Sequence, residues 1–201
     1  MTMREKCYVF VYLPGQVEAV PAGELTIRQI GRDVSSVFVY GSKYRRRPDA
    51  VSLDPIELPL PQQDNVEYRP LGGNPLFGAF RDAAPDAWGR LGIKDRFLRR
   101  TTYAPAPAPD MFDLPEAEYL LRSRPDRVGA LDFRERPDSP EPLKKISAVL
   151  HLKALAREAH RLNTGKPTTV EVQTLLHPGT GMGGARPKTT IEDGGQLWLA
   201  K

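Results

Sequence analysis

Three apolar runs near the start of the chain, Cys7 to Leu13, Glu24 to Ile30 and Ser36 to Tyr40, are rich in Val, Tyr, Phe and Ile and are separated by Pro and Gly. This pattern predicts β-strands joined as a hairpin or meander. Tyr44 to Pro61 is polar and proline-rich. Pro48, Pro55, Pro59 and Pro61 each remove a ladder donor, so the stretch reads as extended and irregular, with one or two short edge strands at most. From Phe77 to Arg100 the pattern turns helical: Phe80, Ala84, Ala87, Leu91 and Phe97 recur at roughly helical spacing, with Arg and Asp between them. Pro85 fits the first turn of a helix starting near Ala84, with Asp86 at its positive end and Phe77 to Asp82 as a separate short turn. Trp88 reads as a core anchor or as a partner contact.

Ala104 to Pro109 alternates Ala and Pro, which predicts an extended spacer and a boundary. Beyond it, Pro115 to Ser123 reads as a short helix and Asp126 to Phe133 as a turn leading into a strand. The clearest helix is Leu143 to Leu162, with an apolar stripe of Ile146, Val149, Leu150, Leu152, Leu155 and Ala156, ended by Gly165 and Pro167. A shorter helix, Thr169 to Leu176, follows with Thr168 or Thr169 as its cap. These elements divide the chain into an amino-terminal subdomain (1–109), a helical connector (110–176) and the start of a further domain (177–201).

Composition narrows the class. With 201 residues, 40% hydrophobic and 27% charged, the chain is long enough to build a core without disulfides or metals. Its 20 prolines, about twice the average share, call for many loops. The single Cys7 excludes an intramolecular disulfide framework and a cysteine-based zinc cage, which fits a reducing compartment and a cytoplasmic location. The apolar run Tyr8 to Leu13 is broken by Pro14 and Gly15, so neither a signal peptide nor a membrane span is expected. The net charge of +4 predicts weak, nonspecific attraction to polyanions. The densest basic run, Arg45, Arg46 and Arg47, reads as a solvated turn. No zinc-finger, RNP-type or helix-turn-helix pattern supports specific nucleic-acid recognition.

The candidate chemistry lies in His177 to Lys201, HPGTGMGGARPKTTIEDGGQLWLAK. Pro178 and Gly179 stop the preceding helix, and Gly181, Gly183 and Gly184 form a loop whose backbone can approach a ligand closely. Lys188 to Ile191 and Gln196 to Lys201 then read as two strands around an Asp193, Gly194, Gly195 turn. A hairpin of that shape brings Lys201 back towards the glycine loop. Backbone N–H groups there would cradle phosphates while the ammonium neutralises them, the division of labour in protein-kinase N-lobes. Period-two alternation puts Leu197 and Leu199 on the strand face of Lys201, suited to covering an adenine ring. The residues alone leave a second reading open, a solvated edge lysine on an ordinary glycine-rich hairpin. The loop lacks a full GxGxxG and precedes a strand rather than a helix, which argues against Rossmann and Walker sites.

GGARPK followed by LWLAK resembles the HipA family of bacterial toxin kinases, whose core opens with a G-A-x-x-K loop and a strand carrying the ATP lysine. FGAFRDAAPDAWGR resembles that family's helix entry, and EYLLRSRPDRVGALDF the segment joining its amino-terminal subdomain to the kinase lobe. The resemblance implies a nucleotide loop at Gly183, Gly184, Ala185, Arg186, Pro187 and Lys188, and a phosphate-binding lysine at Lys201. It implies ATP and Mg as cofactors, a serine or threonine on a translation component as substrate, and a HipB-like DNA-binding antitoxin as partner, with DNA reached only through it. Gly181 stands where related loops carry an autophosphorylated serine; Thr180 is adjacent.

The base aspartate and the Mg-binding carboxylate follow the lysine strand in kinases, and this sequence ends at Lys201, so the chain alone is expected to be inactive. Asp82, Asp86, Asp126 and Asp132 read as caps and turn residues, and His151 and His160 as surface residues. His151, His160 and His177 are too scattered for a triad or metal site. The alternative is a stand-alone interaction subunit docking on a HipA-like kinase core or a HipB-like antitoxin. The fold expected is α+β: an amino-terminal antiparallel β subdomain with a helix, a helical connector, and the first β-hairpin of a kinase-like N-lobe without the rest of its sheet.

Overall fold

A computed structural model describes residues 6–30, 33–101, 113–123, 127, 129–142, 147–148, 152–164 and 189–200. The protein is α+β, with a five-strand antiparallel sheet and several helices. The chain divides into two compact units. One comprises Met1–Ala84, Pro115–Leu121 and Val128–Pro142, the other Pro85–Leu114, Arg122–Arg127 and Leu143–Lys201.

In the first unit the three amino-terminal runs form β1 (Lys6–Tyr12), β2 (Ala19–Ile30) and β3 (Asp33–Tyr40), an antiparallel meander. The polar stretch after it opens with a short helix, α1 (Ser42–Arg45), and holds one isolated bridge, Asp54 to Leu58. The edge strand β4 (Glu67–Tyr68) comes only after the proline-rich segment. A six-residue helix, α2 (Gly78–Ala83), another helix, α4 (Glu116–Arg122), and the strand β5 (Leu131–Arg134) follow later in the chain. Between α2 and α4 runs α3 (Ala87–Thr101), which belongs to the second unit. The sheet order is β4-β3-β2-β1-β5.

Alternation decides which face of this sheet is dry. Cys7, Val9 and Val11 of β1, Leu25 and Ile27 of β2, and Phe38 and Tyr40 of β3 all enter one buried cluster. Phe77 and Phe80 close over it from α2 and its entry, and Phe38, Phe77, Phe80 and Phe133 meet edge to face at centroid separations of 5.2 to 6.5 Å. Each such ring contributes about 1.5–3 kcal/mol by burial. Gly23 lies under this cluster. A Cβ there would collide with the Val39 carbonyl oxygen and the Phe38 ring, so the position requires glycine for space. The register between β1 and β2 slips beside it, between Val9 and Phe10, and the carbonyl of Ala22, the extra residue, accepts from Gly41 N–H at 2.9 Å.

Tyr40 ties the irregular segment to the sheet. Its hydroxyl donates to the Leu58 carbonyl at 2.6 Å and accepts from Leu53 N–H at 2.9 Å. Burial pushes its phenol well above the ordinary range. The Tyr44 ring stacks on Tyr40, and its hydroxyl donates to the Val51 carbonyl at 2.9 Å. Prolines deny this segment a ladder, and tyrosine hydroxyls supply the missing backbone partners instead.

The reading of residues 77–100 is corrected at two points: Phe77 to Asp82, expected as a short turn, lies in the helix α2 and its entry, and the following helix starts at Ala87 rather than near Ala84, because Ala84 to Asp86 is not helical. Asp86 rather than Pro85 starts α3: its carboxylate accepts from Gly89 N–H at 2.7 Å and its carbonyl from Arg90 N–H at 2.8 Å. The buried face of α3 includes Trp88 and Ile93, while Ala87, read as part of the stripe, is exposed.

The helix expected from Leu143 to Leu162 is corrected as well. Helix α5 spans Leu152–Asn163, and Ser147–Ala148 form a strand, β6, that pairs in parallel with β7 (Thr189–Asp193). With β8 (Gln196–Ala200) this makes a three-stranded sheet, β6-β7-β8, so the hairpin does not lack its neighbour. The short apolar run around 146–150 suits helix or strand equally, and a non-local pairing decided between them. Among the described side chains of α5, Leu155, Glu158 and Ala159 are buried and Ala156 is exposed. The helix expected at Thr169 to Leu176 and the spacer Ala104 to Pro109 lie outside the described residues.

Candidate functional site

The hairpin at the end of the chain is built as its composition requires. Thr189 pairs with Ala200, Ile191 with Trp198 and Asp193 with Gln196. The turn is Gly194–Gly195, with φ of 57° and 79°, the pair of positive values that a two-residue turn between twisted strands demands. Ile191 is buried in a small core with Trp88 of α3 and Leu155 and Ala159 of α5, with Leu91 and Ala154 partly buried beside them. This cluster anchors β7. Trp88 is therefore a core residue, 3% exposed, with an indole N–H that meets no acceptor among the described residues. Across the strand pair Trp198 is 54% exposed, on β8, which is an edge of this sheet among the described residues.

The residues assigned to nucleotide binding, Gly183, Gly184, Ala185, Arg186, Pro187, Lys188 and Lys201, lie outside the described residues, as do Thr180, Gly181, His151, His177 and Asp126. The register does locate where they join the hairpin. Among the described residues Thr189 and Ala200 are the outermost pair of the hairpin, and Lys188 and Lys201 are their neighbours in sequence. Among the described residues no group of three or more His, Cys, Asp or Glu is arranged to hold a metal.

Two charged features differ from their sequence reading. The run Arg45 to Arg47 is paired rather than merely solvated. Arg45 Nε donates to Asp64 Oδ1 at 2.7 Å and Arg46 Nη2 to Asp64 Oδ2 at 2.6 Å, while Arg47 forks onto both oxygens of Asp49 at 2.9 Å. Asp132 is neither a cap nor a turn residue. It sits on β5, 3% exposed, and accepts from Arg134 Nε at 2.9 Å.

That pair is the centre of a polar network that sequence reasoning missed. Arg134, 7% exposed at its side chain, lies 4.0 Å over the Phe10 ring centroid and also donates to Glu141 Oε2 at 2.6 Å and to the Ser139 carbonyl at 3.1 Å. The Tyr12 hydroxyl donates to Glu141 Oε1. Burial, with Glu141 beside it, pushes the Tyr12 phenol up to about 12. Burial opposes the charge on Arg134, but Asp132 and Glu141 outweigh it and its affinity for the proton rises. A signal for this existed in the alternation of β5, whose Leu131 and Phe133 face the core and leave Asp132 and Arg134 together on the other face. Glu158 was likewise legible: three residues after Leu155, it shares the buried face of α5 and is 2% exposed, with Arg161 at 3.7 Å.

His160 is exposed on α5 as expected, and Cys7 is fully buried. Among the described residues no helix is long and apolar enough to cross a membrane. No protein-family model matches the chain, and no curated protein matches it.

Proposed function

We propose that this chain is the amino-terminal part of a HipA-type serine/threonine kinase, supplying an ATP-binding hairpin mouth to a cytoplasmic enzyme that phosphorylates a translation component. The observation that carries the reading is the β7–β8 register. In it Thr189 pairs with Ala200, whose neighbours in sequence are Lys188, at the end of the glycine-rich segment, and Lys201. In a kinase-like N-lobe that juxtaposition lets backbone N–H groups hold the phosphates while an ammonium neutralises them. In this reading Gly183 to Lys188 cradle the phosphates of Mg-ATP and Lys201 pairs with them. A HipB-like antitoxin is the partner through which DNA is reached. By resemblance, the base and the Mg-binding carboxylates follow the lysine strand.

Titration calorimetry with Mg-ATP on the full chain tests this. Binding should be measurable, and Lys201→Ala should weaken it about tenfold or more, since a charge-assisted hydrogen bond contributes about 1.5–3 kcal/mol. Absence of binding at millimolar Mg-ATP would overturn this reading.

A second reading is a docking subunit for a HipA-like kinase core or a HipB-like antitoxin. The first unit supports it, because its five strands and aromatic cluster form a core of their own. A pull-down in which the chain ignores both partners would sink it.

A further inference from the structure

We infer that residues 135–142 form a strap over the outer face of the five-stranded sheet, opening and closing as one unit, with Arg134 as its lock and Glu141 as its catch. The inference is independent of nucleotide binding. After β5 ends at Arg134, none of residues 135–142 belongs to a strand or helix. Glu135 to Asp138, Pro140 and Glu141 are exposed, and Ser139 and Pro142 are only partly buried.

Among the described residues, polar ties to the sheet meet at Arg134 and Glu141. Arg134 donates to Ser139 O and Glu141 Oε2, and Tyr12 donates to the other oxygen of Glu141. Within the strap the turn is self-contained: Ser139 N–H donates to the Arg136 carbonyl and Arg136 N–H to Ser139 Oγ, both at 3.1 Å. Pro137, Pro140 and Pro142 limit the conformations available once it lifts, which keeps reclosure cheap in entropy.

The lock has two sets of partners, and this is what makes opening local. When the strap lifts, Arg134 keeps the Asp132 carboxylate on its own strand and the Phe10 ring beneath it. The buried guanidinium is not left as an uncompensated charge, the outcome that makes breaking most buried ion pairs so costly. The strap can therefore open at lower free energy than the sheet. Opening exposes the Nη donors of Arg134 and the Tyr12 hydroxyl on one face of β1 and β5.

Asp-N protease, which cuts ahead of aspartate, tests this on the full chain because it has a site in the strap, ahead of Asp138, and one inside β5, ahead of Asp132. Glu141→Gln and Tyr12→Phe each weaken the catch while leaving the Asp132–Arg134 pair intact. Each should speed cleavage ahead of Asp138 by about tenfold, the size expected when a charge-assisted hydrogen bond is lost, with cleavage ahead of Asp132 unchanged. An unchanged rate at Asp138 in both variants would overturn the strap, and so would an equal rise at both sites, which would mean that the strap opens only with the sheet.

Discussion

Tyr40 is the residue on which the irregular part of the first unit hangs, because its hydroxyl partners two backbone groups, Leu58 O and Leu53 N–H, in a segment whose prolines prevent a ladder. Tyr40→Phe keeps the ring packing and orphans both groups. It should cost about 1–3 kcal/mol in urea unfolding; a loss under a few tenths would mean that water replaces the hydroxyl. Asp64 makes a different prediction, about pH. The hydrogen bond from Arg45 holds its carboxyl at about 2, against an opposing desolvation and with help from Ser42 and Arg46, below the ordinary 3.8. A carboxyl lowered by folding contributes stability above its unfolded value, and that contribution is lost as the pH falls from about 4 through about 2. Asp64→Asn should therefore flatten the acid limb of the stability curve in that window. An unaltered acid limb would show that Arg45 and Arg46 do not hold Asp64 in solution.

At the scale of elements, the break at Ala84 to Asp86 separates a helix that closes the first core from one that builds the second. Asp86 satisfies an N–H at the start of α3 that would otherwise have no helical partner, so Asp86→Ala should cost about 1 kcal/mol, read as a lowered melting temperature. Asp86→Asn should recover most of it. An equal loss in both variants would assign the effect to charge rather than to capping. Strand β6 is the element that sequence periodicity could not settle. Two residues in parallel register with Ile191 and Glu192 carry too little local pattern to be seen.

Over the whole molecule, each unit has its own core, and among the described residues the first is the larger. The first unites residues from β1, β2, β3, α2, α4 and β5, whereas the second, among the described residues, centres on Trp88, Leu155, Ala159 and Ile191. Both tryptophans, Trp88 and Trp198, belong to the second unit. Tryptophan fluorescence should thus report a transition at lower urea than far-ultraviolet circular dichroism, which is weighted by the larger sheet. Coincident transitions would mean one cooperative unit. The sequence by itself determined the amino-terminal meander, the hairpin with its Gly194–Gly195 turn, α4 and β5, because period-two patterning and turn chemistry are local. Tertiary structure decided the rest. Gly23 is needed for the space Phe38 and Val39 occupy, and Ser147–Ala148 became a strand because β7 offered a partner. In each case the deciding atoms belong to residues distant in sequence or to a side-chain face that only packing defines, and no local pattern can carry that information.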